Sequence, residues 1–149
     1  MDSFELYDQD CKRIRKDNEK ILNDFENWFS KKGLSMKTIA NHCDSVDFYI
    51  NEFLLYEEAI EASDGIYEIG YFLGFWFIKK AMWASKSTIK SNATSIKKFY
   101  EFMFEKGKID KEDYIELKEV IKNNMQEWLD TMGRYDDSEI EDMEEVWGL

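Results

Sequence analysis

The sequence predicts an all-α protein, a compact bundle of four to five helices carrying an acidic C-terminal tail. Three observations predict it. Apolar residues recur at intervals of three and four along most of the chain, the spacing of one helix face. No stretch sustains the strict alternation of a strand, and no repeat of fixed period occurs. Proline is absent from all 149 residues, so no proline interrupts a long helix. Hydrophobic residues make up 44% and aromatics 16%, enough for a real core in one domain of this length.

The first helix is expected over about Asn18–Lys32, with Ile21, Leu22, Phe25, Trp28 and Phe29 on one face and Gly33 as the residue that stops it. Residues 1–17 either extend it or lie loose on the surface. Ser35 is a good N-cap for the second helix, whose stripe is Ile39, Cys43, Val46, Ile50 and Phe53, ending near Leu55. Residues 56–65 read as an acidic connection. A third helix follows over about Ile66–Trp83, with Ile69, Leu73, Trp76, Phe77 and Lys80 in phase. Ser85 and Ser87 interrupt and cap. The fourth helix, Thr88–Lys106, carries Ile89, Ala93, Ile96, Tyr100 and Met103 and stops at Gly107. Asp110, with Asp113 three residues on, resembles a capping box for a fifth helix. Tyr114, Leu117, Ile121, Met125, Trp128, Leu129 and Met132 form its stripe, and Gly133 is its expected stop. The chain thus divides into an N-terminal extension (1–17), a helical domain (18–133) and an acidic tail (134–149).

The net charge of −12 excludes a protein that coats nucleic acid by bulk charge. Charge is nevertheless segregated. Thr38 to Ile78 holds eight acids and no Lys or Arg. Lys79 to Tyr100 holds six lysines (Lys79, Lys80, Lys86, Lys90, Lys97, Lys98) and no acid, with Ser87, Thr88, Ser91 and Thr94 among them. A second basic group, Lys31, Lys32 and Lys37, flanks the Gly33–Ser35 turn. At about 100° per residue, with Lys86 at zero, Lys97 falls near 20°, Lys90 near 40° and Thr94 near 80°. The apolar stripe lies at roughly 260–320°. Three lysines therefore form one narrow line beside the core face. Ammonium and hydroxyl donors in a line suit phosphate oxygens.

Two stretches carry a resemblance. FENWFSKKGLSMKTIANHCDSVDFYINEF (25–53) and SKSTIKSNATSIKKFYEFMFEKGKI (85–109) resemble the N-terminal, SAM-like core-binding domain of tyrosine recombinases and phage integrases. The points of likeness are Gly33, Leu34, Ser35 and Thr38 after the first helix, then Thr88, Ile89, Lys97, Lys98, Phe99, Tyr100, Lys106 and Gly107 in the fourth. The likeness spans roughly residues 19–109. It implies a SAM-like bundle that holds one side of a DNA duplex in recombination or integration. The turn between the first and second helices and the fourth helix would face the phosphates. The DNA-contacting residues it implies are Lys31, Lys32, Ser35, Lys37, Thr38, Lys79, Lys80, Lys86, Ser87, Thr88, Lys90, Ser91, Thr94, Lys97 and Lys98. His42 stands where an aromatic is common in that family. The family's catalytic arginines, histidines and tyrosine nucleophile have no counterpart here. The arginines are Arg13, Arg15 and Arg134, and the single histidine is His42. The expectation is a binding domain, not an enzyme.

Other chemistry is sparse. His42, Cys43, Asp44 and Asp47 do not set three metal ligands on one helix face, and nothing singles out a nucleophilic partner for His42. Cys11 and Cys43 lack zinc-site spacing and form no disulfide framework, which suits a reducing cytoplasm. No phosphate-binding glycine motif occurs. The opening residues are acidic, unlike a signal peptide, and the longest apolar run, Ile69–Ile78, is ten residues, too short to span a bilayer. No cofactor, metal, membrane or small-molecule substrate is expected. The tail carries seven acids, with Ile140, Met143, Val146 and Trp147 at helical spacing. It reads as a frayed end, a docking peptide for a protein partner, or a cover for the lysine line. The competing reading of the whole chain is a protein-interaction adaptor that uses its acidic surface and this tail.

Overall fold

The computed structural model describes residues 2–137 and 139–148; Met1, Ser138 and Leu149, from the expected extension and tail, lie outside the described residues. The protein is 77% helical, with no strand among the described residues. We label the helices α1 (Ser3–Ser30), α2 (Met36–Asp47), α3 (Ile69–Tyr71, Phe72–Trp76 and Phe77–Lys80 in one run), α4 (Lys86–Glu105), α5 (Lys111–Asp136) and α6 (Met143–Trp147). Among the described residues, no helix is long and apolar enough to cross a membrane. α4 is central, packed against α5, α2 and α1, and the segment 64–76 packs on α5.

α1 starts fifteen residues earlier than Asn18, at Ser3, where Asp2 accepts from the Glu5 amide at 2.8 Å. Residues 3–17 are therefore helix, continuous with the rest of α1. Cys11 and Ile14 are buried with Leu55, and Tyr7 and Ala59 pack on them. The Tyr7 hydroxyl donates to the Leu55 carbonyl. One turn on, Asn18 is buried, and its Nδ2 donates to Asn51 Oδ1 (2.8 Å) and to the Ile50 carbonyl (3.3 Å). This stripe continues the one that holds Phe25 and Phe29.

α2 runs into a π-helical turn over Phe48–Phe53, closed by the Leu54 amide donating to the Tyr49 carbonyl five residues back (3.0 Å). α3 contains a second such turn over Phe72–Trp76. The two turns meet through their rings: Phe53 lies 4.8 Å from Phe72 and 5.1 Å from Trp76 between centroids. A second aromatic group, Phe25, Phe29, Phe99 and Phe102, joins α1 to α4.

The connection 56–65 is irregular but fixed. Tyr49 donates to the Gly65 carbonyl at 2.6 Å, and Tyr100 donates to the Ala62 carbonyl at 2.7 Å. Burial pushes both phenols far above their ordinary pKa, so both remain donors. A Cβ on Gly65 would stand 2.4 Å from Leu54 Cδ1, so only glycine fits there.

Two sequence expectations for α5 need correction. Asp110 is its N-cap, but its side chain makes no cap bond; Asp113 accepts instead from the Tyr67 hydroxyl at 2.7 Å. Gly133 does not stop the helix, which continues to Asp136. Its φ is not positive, unlike Gly33 (75°) and Gly107 (71°), which do end α1 and α4. Within the tail, Met143–Trp147 form a packed helix rather than a frayed end. Asp142 caps α6, Val146 is buried, and Trp147 packs 4.5 Å from Phe75 and 5.9 Å from Tyr135. Arg134 Nε holds the Val146 carbonyl at 2.9 Å.

Candidate nucleic-acid interface

The interface residues gather around α4, and the local sequence explains how α4 begins. Ala81 is extended and ends α3. Ser85 then caps α4: its hydroxyl accepts from the Thr88 amide (3.1 Å), and Thr88 Oγ1 accepts from the Ser85 amide (2.8 Å). Thr88, expected on the DNA-contacting face, thus has its hydroxyl engaged in this reciprocal cap.

Beyond the cap, the core side of α4 buries Ile89, Ala93, Ile96 and Tyr100. α5 flanks one edge, where Lys86 meets Gly133. α2 flanks the other, where Ser95 meets His42. Between them the outer strip of α4 carries Lys86, Ser87, Lys90, Ser91 and Thr94, all exposed, then Lys97 and Lys98, both half-buried. No acid interrupts this strip. Lys86 to Lys97 spans roughly 16 Å at 1.5 Å per residue. Ser91 donates back to the Thr88 carbonyl (3.2 Å) and Thr94 to the Lys90 carbonyl (3.1 Å). Rotation about the C–O bond is enough to turn either proton outward. Lys98 reaches Glu101 at 3.8 Å, a weak exposed pair.

α2 brings Ser35 and Thr38 to the same side of the molecule. Ser35 caps α2 through the Thr38 amide (3.2 Å) and donates to Thr38 Oγ1 (2.9 Å). Thr38, Asn41, His42, Asp44 and Ser45, with Ser91, Thr94 and Ser95, then line an open cleft of about 510 Å³ between α2 and α4, so one carboxylate stands in it. Lys31 and Lys37 are exposed at this end, and the Lys32 ammonium lies 4.3 Å from the Trp28 ring centre. Lys79 and Lys80 are placed differently. The Lys79 ammonium lies over Phe75, one turn back in α3 (5.5 Å), and that of Lys80 over Tyr56 in the connection 56–65 (5.3 Å).

Sequence reasoning did not find the partner of His42. Its Nδ1 lies 2.8 Å from Ser95 Oγ, and its ring stacks on Phe29 at 5.0 Å. Burial, and then the nearby Lys98, lowers its pKa, so the imidazole is neutral at pH 7. The pair resembles the start of a nucleophilic dyad. Ser95 is only 3% exposed, although both it and His42 line the cleft between α2 and α4. The polar spacing Thr38, Asn41, His42, Ser45 was the available sequence signal for this cleft. Farther along, Asp44, Asp47 and Glu52 line an adjoining cleft of about 410 Å³ with Trp83. Asp44 lines both clefts, so the acidic side of α2 reaches the edge of the Thr38 cleft, while the outer strip of α4 carries no carboxylate. Burial, with Glu26 and Asp44 nearby, pushes the Cys43 thiol up to about 11. Among the described residues, no group of three or more His, Cys, Asp or Glu side chains could hold a metal ion.

Comparison with known proteins finds no matching family model, no matching curated protein and no matching solved structure.

Proposed function

We propose that the chain is a non-catalytic duplex-DNA-binding domain of the integrase core-binding kind, SAM-like in arrangement and linked to recombination or integration. The observation that carries this reading is the outer strip of α4: five exposed and two half-buried Lys, Ser and Thr side chains with no carboxylate among them, in a protein of net charge −12. Backbone phosphates are the ligand such a strip fits, because lysines act on them as point charges and hydroxyls as short donors. The Ser35–Thr38 end of α2 and Lys31, Lys32 and Lys37 extend the donor set toward a second phosphate run. Contacts of this kind position a duplex without reading its sequence.

A salt titration of duplex binding tests it. If about four phosphates are neutralised, log K falls against log salt with a slope of roughly −4. Changing Lys86, Lys90 and Lys97 together to Gln should weaken every duplex alike and flatten that slope, leaving the fold intact. The adaptor reading has its own support in the acidic cleft of Asp44, Asp47 and Glu52. Unchanged DNA affinity in the triple variant would favour that reading.

A further inference from the structure

A third cavity lies on the acidic side of the molecule, between the connection 56–65 and the start of α3. It measures about 200 Å³. Four aromatic residues line it: Phe53, Tyr56, Tyr71 and Trp76. Their rings stand at angles to one another. Phe53 and Trp76 are 5.1 Å apart at 66°, Tyr56 and Trp76 are 5.4 Å apart at 73°, and Phe53 and Tyr71 are 6.0 Å apart. Three carboxylates, Glu57, Glu58 and Glu68, and two aliphatic side chains, Leu54 and Ile60, complete the lining, with no basic residue among them. The ring faces carry negative potential, which the carboxylates reinforce. Tyr56 and Tyr71 are each 51% exposed, so the box is open to ligand.

One cation of the chain already stands at its edge. Lys80 Nζ sits 5.3 Å from the centre of the Tyr56 ring. Tyr56 therefore already meets a positive charge in this structure, yet Lys80 is not among the residues that line the cavity. A primary ammonium is strongly hydrated and resists burial. An alkylated ammonium sheds its water at lower cost, and its methyl groups fill the space against aromatic rings.

We propose that this box binds a methylated or quaternary ammonium group. The group is carried either by a free small molecule of the choline type or by a trimethylated lysine side chain. Phe53 and Trp76 form the floor, Tyr56 and Tyr71 the open walls, and the three glutamates hold the charge. This site is independent of the lysine strip on α4.

The Trp76 indole supplies a direct reporter, because it is 7% exposed and its Nε1–H has no acceptor among the described residues. The test is an NMR titration of the full, isotope-labelled chain, following the indole N–H resonances. A Trp76→Phe variant identifies the Trp76 signal. Choline is compared with its uncharged carbon isostere. The expected result is a saturable shift of the Trp76 signal, with choline bound at least about tenfold tighter than the isostere. Tyr71→Ala should weaken choline by about tenfold, while Tyr71→Phe, which keeps the ring, should retain it. Changing Glu57, Glu58 and Glu68 together to Gln should weaken choline several-fold, and Lys80→Ala should tighten it by removing a like charge. Equal affinity for choline and the isostere overturns the proposal. So does full choline binding by a folded Tyr71→Ala, or the absence of any saturable shift up to about 100 mM choline. A trimethyllysine peptide bound more tightly than choline, and more tightly than its unmodified lysine form, assigns the group to a modified protein. The reverse order assigns it to the free small molecule.

Discussion

Lys86 lies across Gly133. A Cβ on that glycine would stand 3.3 Å from both Cε and Nζ of the lysine. The first lysine of the α4 strip thus meets α5 near that helix's C-terminal end. The neighbour is the far end of a flexible, exposed side chain, which can move aside by a few tenths of an ångström.

Gly133→Ala should therefore stabilise the protein. Alanine in place of glycine inside a helix gains roughly 0.5–1 kcal/mol, and the lysine gives way cheaply. The urea midpoint should rise with an unchanged m-value. A fall in the midpoint would mean that Lys86 is held rigidly where it lies.

His42 makes stability depend on pH. Its folded pKa is lowered, first by burial and then by Lys98, so the unfolded chain takes up its proton at the higher pH. The His42 contribution is complete above the ordinary value of about 6.5 and is lost as pH falls through the folded value. Its slope cannot exceed about 1.4 kcal/mol per pH unit. Urea unfolding at a series of pH values from 7.5 down to 5 should show this loss, and His42→Gln should remove that component. An identical pH profile in the variant would show that His42 titrates normally.

Trp147 fixes the acidic tail. Truncating it to alanine uncovers Phe75 and Tyr135 and should cost about 1–2 kcal/mol, since the ring is only half-buried. α6 rests on α3 and α5, and none of the ion pairs among the described residues joins a tail acid to a lysine of α4. A tail scrambled at constant composition should then bind DNA like the intact chain. Deleting residues 139–149 removes five acids and should tighten binding more at low salt than at high salt, alongside the stability lost with the α6 contacts. Tighter binding by the scrambled tail would mean that α6 does cover the strip.

Most elements were legible because their signals are local. Ser35 and Ser85 cap the helices they precede, and Gly33 and Gly107 take the positive φ that ends α1 and α4. The helical spacing of Lys86, Lys90 and Lys97 placed them on one line before any coordinates. What was missed depends on distant partners. The first four turns of α1 bury Cys11 and Ile14 only because Leu55 comes to meet them, and charged neighbours dilute that stripe in the sequence. Gly133 looks like a stop signal, but its φ is not positive and the helix runs on to Asp136. The His42–Ser95 pair needs the packing of α2 on α4. The tail helix needs Phe75 and Tyr135, without which four apolar residues among seven acids have nothing to rest on.

The paired π-helical turns, Phe48–Phe53 in α2 and Phe72–Trp76 in α3, bear on how this chain tolerates insertion and deletion. Each turn carries one residue more than a regular helix needs for the same rotation. It absorbs that residue locally, so the turns on either side keep their phase. Removing a single residue elsewhere in these helices rotates everything beyond it by about 100° and turns the core face outward. Removing one inside the Phe72–Trp76 turn, which has helix on both sides, restores the ordinary hydrogen-bond ladder and leaves the flanking faces aligned. α3 thus contains one place where chain length can change by a residue while the rest of the bundle keeps its register.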